Sequence, residues 1–172
     1  APMFLVSNGD MVVAAAEHGI TGAIPALNYR TEDDFRHALK DIKDRIDGPF
    51  GINLVANKSN YKFKFQLQAC LDFGVDYIIS SLGSPQAIIE ACKPKGIKVF
   101  TDVIDLKYAK KCEALGADAL IAVNNQAGGH LGPLDPNDFI PMLLENCDLP
   151  VISAGGVEIG RASCRERVCH RV

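Results

Sequence analysis

Apolar residues along this chain gather in short, nearly unbroken runs, and polar, helix-patterned stretches separate them. The runs lie near residues 1–5 (APMFL), 21–25 (TGAIP), 50–55 (FGINLV), 76–81 (DYIISS), 97–102 (IKVFTD), 118–123 (DALIAV) and 150–154 (PVISA). They are rich in β-branched residues and do not alternate, which is the pattern of parallel strands buried on both faces. In the gaps, apolar residues recur at spacings of three and four, which predicts helices. The clearest is TEDDFRHALKDIKDRI (31–46), with Thr31 placed to cap it and acidic residues in its first turn.

One phrase recurs: AAAEHGITGAIPA (14–26), ACLDFGVDYIIS (69–80), ACKPKGIKVFT (91–101) and KCEALGADALIAV (111–123). Each has a helix end rich in small residues, a glycine, two or three residues and then a strand. Glycine there suits the left-handed position after a helix C-terminus. Strand and helix thus alternate throughout, so the class is α/β with a parallel sheet. An open dinucleotide-binding sheet would carry a GxGxxG turn after its first strand, and APMFLVSNGD has none. The expectation is a TIM (β/α)8 barrel, truncated after the seventh strand, since the full form has eight strands and about 250 residues.

Charge and composition narrow the function. A net charge of −3 without a basic stripe argues against nucleic acid. No apolar run approaches the ~20 residues that span a bilayer, and no signal-peptide pattern opens the chain. The six cysteines show neither CxxC spacing nor a regular framework, so a disulfide scaffold or metal site is not expected and a reducing, cytoplasmic setting is. Cys70, Cys92 and Cys112 fall on or beside apolar helix faces, where a thiol acts as a small hydrophobe.

After residue 158 the pattern stops. Four of the seven arginines and two of the six cysteines fall in residues 159–172. A basic helix would explain that composition. IGRASCRERV, however, resembles one reading frame of a widely used short-read sequencing adapter. Residues 159–172 are therefore expected to be a non-native tail, and 1–158 an incomplete barrel.

In βα barrels the chemistry sits at the C-terminal ends of the strands. After residues 150–154, PVISAGG puts two glycines at a strand-to-loop turn, where unhindered amides can face a phosphate. A turn shaped only by tight packing is the plain alternative. After residues 118–123, NNQAGGHLG leaves backbone free to lie against a flat ring and carries His130 toward the strand-end face. A histidine there can exchange a proton near neutral pH. His18, at a helix end, and His37, on an exposed helix face, read as solvated.

APM at the start, GINL at 51–54, AGGHLG at 127–132 and PVISAGG at 150–156 together resemble the nitronate monooxygenase family. That family includes the FMN-dependent enoyl-acyl-carrier-protein reductases, and the resemblance covers residues 1–158. It implies an FMN-binding barrel. By motif position, Ala1, Pro2 and Met3 would line the flavin, chiefly through backbone, and Asn53 would hydrogen-bond it. Gly128 and Gly129 would pass close to the ring. Ala154, Gly155 and Gly156 would hold the phosphate, and His130 would be the acid–base residue. For Asn53, a satisfied asparagine at a strand end is the plain alternative. Two positions depart from the pattern: Asp102 stands where members often carry lysine, and Gln126 where they often carry glutamate. Asp102 is repulsive toward a phosphate but suited to a ribityl hydroxyl or to orienting His130.

The implied reaction is oxidation of alkyl nitronates or nitroalkanes by dioxygen to a carbonyl compound and nitrite. The partners are a small-molecule substrate and dioxygen, without nucleic acid or membrane, and a homodimer is compatible with it. One alternative is an FMN- and NAD(P)H-dependent enoyl-acyl-carrier-protein reductase. A remoter one is a flavin-free, phosphate-binding barrel lyase or isomerase.

Overall fold

The computed structural model describes residues 2–156. Ala1 and the tail expected at 159–172 lie outside the described residues. The chain divides into two units, one running to Val99 and the other starting at Phe100.

The first unit holds α1 (Gly9–Glu17), β1 (Gly22–Pro25), α2 (Glu32–Arg45), β2 (Phe50–Val55), α3 (Phe63–Phe73), β3 (Tyr77–Ser81) and α4 (Gln86–Cys92). β1 pairs with β2, and β2 with β3, all parallel. Thr31 caps α2 as expected, its side chain accepting from the Asp34 amide. The face of α2 that carries Phe35, Leu39 and Ile42 is fully buried. Truncating Leu39 to alanine would cost about 2–5 kcal/mol by lost transfer energy and the cavity left behind. Gly51 is required by packing: a Cβ there would stand 2.0 Å from the Tyr77 ring. The Tyr77 hydroxyl meets Thr21 Oγ1 (3.0 Å) and the Gly22 carbonyl (3.1 Å). One ring thus fills the space beside β2 and links β3 to β1.

The second unit is built from β4 (Lys98–Val103, whose first two residues belong to the first unit), α5 (Leu106–Leu115), β5 (Ala119–Ala122), α6 (Pro136–Asn146) and β6 (Val151–Ser153). β4 pairs with β5 and β5 with β6, again parallel. Val103, Ala109, Cys112, Leu120, Ala122, Phe139 and Leu143 are fully buried and form its core. In the recurring helix-to-strand phrases, Gly19, Gly74, Gly96 and Gly116 all adopt positive φ. The repeat is therefore a repeat of helix terminations, as the sequence implied.

Six strands stand among the described residues where seven were expected. The difference is the first run, whose residues 4–6 form a turn. The amides of Val6 and Ser7 both donate to the Met3 carbonyl (3.1 and 2.9 Å), and the Met3 amide donates to Ser7 Oγ (2.8 Å). Asn28 completes the fold-back, accepting from the Leu5 amide (2.8 Å) and donating to the Ser7 carbonyl (2.9 Å). Apolar composition suggested a strand, and these local hydrogen bonds decide for a turn that leaves Phe4, Leu5 and Val6 exposed. No described helix is long and apolar enough to cross a membrane.

Candidate active site

In the first unit, β1, β2 and β3 end around a cavity of about 340 Å³ lined by Leu27, Val55, Asn57, Asn60, Lys62 and Leu82 among others. Asn60 builds its wall, donating to the Val55 carbonyl and to Gln66 Oε1 (both 2.9 Å). Lys62 Nζ donates to the Tyr29 carbonyl (3.0 Å), which fixes the ammonium at the rim. Asn53, one of the expected cofactor residues, is half-buried in β2 beside Ile79 of β3. Its Nδ2 donates to the Ile79 carbonyl (3.2 Å) and to Ser81 Oγ (2.6 Å). The donor half of this side chain is thus satisfied within the sheet, while Oδ1 has no hydrogen-bond partner among the described residues. Pro2 is half-buried and Met3 is 45% exposed. The Met3 amide is held by Ser7, so Met3 presents its side chain rather than its N–H.

The second unit brings two of the predicted segments together. The loop from Asn124 to Leu134 is drawn closed by the Asn125 amide donating to the Leu134 carbonyl (2.8 Å). Asn124 is fully buried and was not among the expected site residues. Its Oδ1 accepts from the Gln126 amide (2.8 Å). Its Nδ2 lies within reach of Ser153 Oγ (3.2 Å) and the Gly155 carbonyl (3.4 Å). Its own carbonyl accepts from the amides of Ala127 (3.2 Å) and Gly132 (3.0 Å). The loop bearing His130 and the turn after β6 are therefore joined through one side chain. The signal was present in the sequence as an asparagine directly after a buried strand, where a polar side chain must find partners inside the protein.

The two glycine pairs differ. At Gly155 (φ +107°) a Cβ would lie 2.2 Å from the Gln126 carbonyl oxygen, and at Gly156 (φ +71°) it would lie 3.0 Å from Pro136 Cγ. Packing and backbone conformation both demand glycine at Gly155. The Ala154 amide donates to the Ala122 carbonyl (3.1 Å) and is committed to the strand pair. Gly129 has φ +85°. Gly128 shows no left-handed backbone, and a Cβ there would meet nothing within 4 Å among the described residues. His130 follows Gly129, exposed on the same loop.

Asp102 lies half-buried in β4, in register with Ile121 of β5. Its charge reaches Tyr108 of α5, whose phenol is pushed up to about 12 by burial first, then by Cys112 and, least, by Asp102. Burial also raises the Cys112 thiol, as expected of a cysteine that packs rather than reacts.

The profile of the family described as nitronate monooxygenase matches residues 59–162, more than half of the chain. A Rhodococcus jostii protein, (3aS,4S,5R,7aS)-5-hydroxy-7a-methyl-1-oxo-octahydro-1H-indene-4-carboxyl-CoA dehydrogenase, is 30% identical over 156 residues, covering 91% of this chain and 43% of its own. A nitronate monooxygenase of Paraburkholderia phytofirmans is 38% identical over 88 residues, covering 45% of this chain and 24% of its own. Among solved structures, FabK from Thermotoga maritima superposes with a TM-score of 0.84 at 27% identity, over 91% of this chain and 50% of its own. The chain thus spans about half the length, or less, of these relatives. The α/β fold is that of the TIM barrel, as the sequence pattern implied.

Proposed function

The chain belongs to the nitronate monooxygenase family, and from that premise we propose that it is an FMN-dependent oxidoreductase. Its reaction is the oxidation of alkyl nitronates and nitroalkanes by dioxygen to a carbonyl compound and nitrite. The observation that carries this reading is Gly128. Neither its backbone conformation nor any neighbouring described atom calls for glycine, yet it directly precedes the Gly129–His130 pair. We read that open, side-chain-free backbone as room for a planar ring to lie against it.

FMN is the group for which this reading assigns the residues. In the second unit, Gly128 and Gly129 would accommodate the ring, and the amides of Gly155 and Gly156 would face the phosphate. Asp102 would meet a ribityl hydroxyl. By motif position, Ala1, Pro2, Met3 and Asn53 are the remaining residues that the resemblance to the family would assign to the cofactor. Bound FMN would supply the electron acceptor that dioxygen later reoxidises.

The rest falls to the protein. A nitronate is already an anion and needs no base, whereas a neutral nitroalkane must lose its α-proton. His130, exposed and without a hydrogen-bond partner among the described residues, is the proposed base. Orientation of the substrate and stabilisation of its negative charge are the remaining contributions of the site.

A second reading is supported by the 30% identical relative, whose name specifies an acyl-CoA substrate. On it the protein is a flavin-dependent acyl-thioester oxidoreductase, such as an NAD(P)H-dependent enoyl-acyl-carrier-protein reductase, with His130 assisting protonation.

The test is anaerobic mixing of the purified, FMN-loaded full chain with a nitronate or with NADPH while the flavin's visible absorbance is followed. Bleaching by nitronate with NADPH inert is expected. Bleaching by NADPH alone favours the second reading, and a protein that takes up no FMN overturns both. Under steady state, His130→Ala should lower turnover of a neutral nitroalkane by about 10²–10⁴-fold and leave the preformed nitronate nearly unaffected. Equal turnover of the nitroalkane by variant and wild type would remove His130 from this role.

A further inference from the structure

We propose that Asn124 is the positioning residue of this site, holding the His130 loop and the Ser153–Gly156 turn in one fixed relation through its buried carboxamide. The inference deepens the proposed function and rests on it for the roles of His130 and of the glycine turn.

The loop has little else to hold it. Between Asn125 and Leu131 only Ala127 is buried, and Gln126, Gly128, Gly129 and His130 are exposed. Its placement therefore depends on hydrogen bonds donated by its amides, and three of these converge on Asn124, one on the carboxamide and two on the main-chain carbonyl. They come from the amides of Gln126 (to Oδ1), Ala127 and Gly132 (both to the carbonyl). The carboxamide uses both its ends, which a purely space-filling residue would not require. Oδ1 faces the loop and Nδ2 faces Ser153 Oγ and the Gly155 carbonyl.

The second contact has a directional effect. Ser153 Oγ also donates to the Gly155 carbonyl, at 2.6 Å, so this carbonyl is held from two sides. The peptide bond that follows it is planar and trans. The Gly156 N–H must then point opposite to the Gly155 carbonyl, away from Asn124. Orienting the carbonyl thus aims one of the two amides proposed to face the phosphate. The same side chain sets the loop from which the proposed base projects. Interlocking completes the coupling, since the Gln126 carbonyl oxygen sits where a Cβ of Gly155 would stand, and Asn124 Oδ1 holds the amide of that same Gln126.

The test uses the full chain carrying Asn124→Ala or Asn124→Asp. The aspartate keeps the volume and the acceptor at Oδ1 but, when ionised, loses the donor to Ser153 and Gly155, and it serves if the alanine variant does not fold. Amide hydrogen exchange of the flavin-free protein is the primary readout. Faster exchange confined to residues 125–132 and 154–156, with α2 and β2 unchanged, is expected. Faster exchange across the whole chain, or none at all, overturns the proposal. Flavin fluorescence should show FMN affinity falling about tenfold or more, since small misplacements of a built site are costly. With FMN saturating, kcat for a neutral nitroalkane should fall further than kcat for the preformed nitronate, because only the former needs His130 in place. Equal activity per bound flavin on both substrates would reduce Asn124 to a structural role. Should wild type bind no FMN or turn over neither compound, the proposed function fails, and the exchange pattern still decides whether Asn124 positions the two segments.

Discussion

Two glycine doublets stand at neighbouring strand ends, Gly128–Gly129 and Gly155–Gly156, and each is written as the same AGG triplet. In the folded chain they have glycine for different reasons. Gly155 is demanded from inside: its backbone is left-handed and the Gln126 carbonyl occupies the space a Cβ would take. Gly128 is demanded by nothing in the described chain. A motif can thus combine residues that fold the protein with residues that leave room for something else. The fold separates the two by what surrounds each glycine.

The largest effect should come from the internally demanded position. Gly155→Ala would set a methyl 2.2 Å from the Gln126 carbonyl oxygen on a backbone with φ +107°. The conformational strain alone is worth about 1–3 kcal/mol, and the displacement of Gln126 adds to it. A fall of several degrees in Tm is expected, together with weaker FMN binding. An unchanged Tm would place Gly155 in the same class as Gly128.

Gly128→Ala sharpens the contrast from the other side. Thermal stability of the flavin-free protein should stay within about 0.5 kcal/mol of wild type, while FMN affinity measured by fluorescence drops. If affinity is unchanged as well, Gly128 faces only solvent and the observation behind the proposed function is lost.

The smallest effect is a background common to both variants. Tyr108 has its phenol raised from 10.0 to about 12, so the folded state keeps this proton longer than the unfolded chain does. Stability falls as pH rises through that window, because the unfolded tyrosine ionises first. The loss should be visible in denaturant midpoints between pH 10 and 12, equal in the two glycine variants and shallower in Tyr108→Phe. A variant as steep as wild type would assign the loss to Tyr29, Tyr77 and the buried thiols, which burial also raises.

Much of the fold was legible because the repeat is written in helix terminations, and glycine at such an end has a local cause. Gly74 and Gly116 follow α3 and α5 in the left-handed conformation whatever their distant neighbours are. The turn at residues 4–6 was not legible, because Asn28 stabilises it from more than twenty residues away. Asn124 was legible only in part, for a related reason. Its place directly after a buried strand was a signal, but its partners on Ser153 and Gly155 lie some thirty residues away and no spacing indicates them. For Asn53 the two readings divide the side chain, with Nδ2 satisfied by the sheet and Oδ1 left over. Asp102 also acquires a neighbour, Tyr108, that no spacing could have indicated.

The four described thiols are buried and form no disulfide, Cys70 and Cys92 in the first unit and Cys112 and Cys147 in the second. Burial raises the pKa of Cys70, Cys112 and Cys147, so each is shielded and protonated at neutral pH. A thiol reagent can reach them only when the surrounding structure opens. With Cys164 and Cys169 replaced, the rate of labelling becomes a clock for opening. Because each unit carries its own pair, mapping which thiols react first would reveal whether the two units breathe together or one ahead of the other.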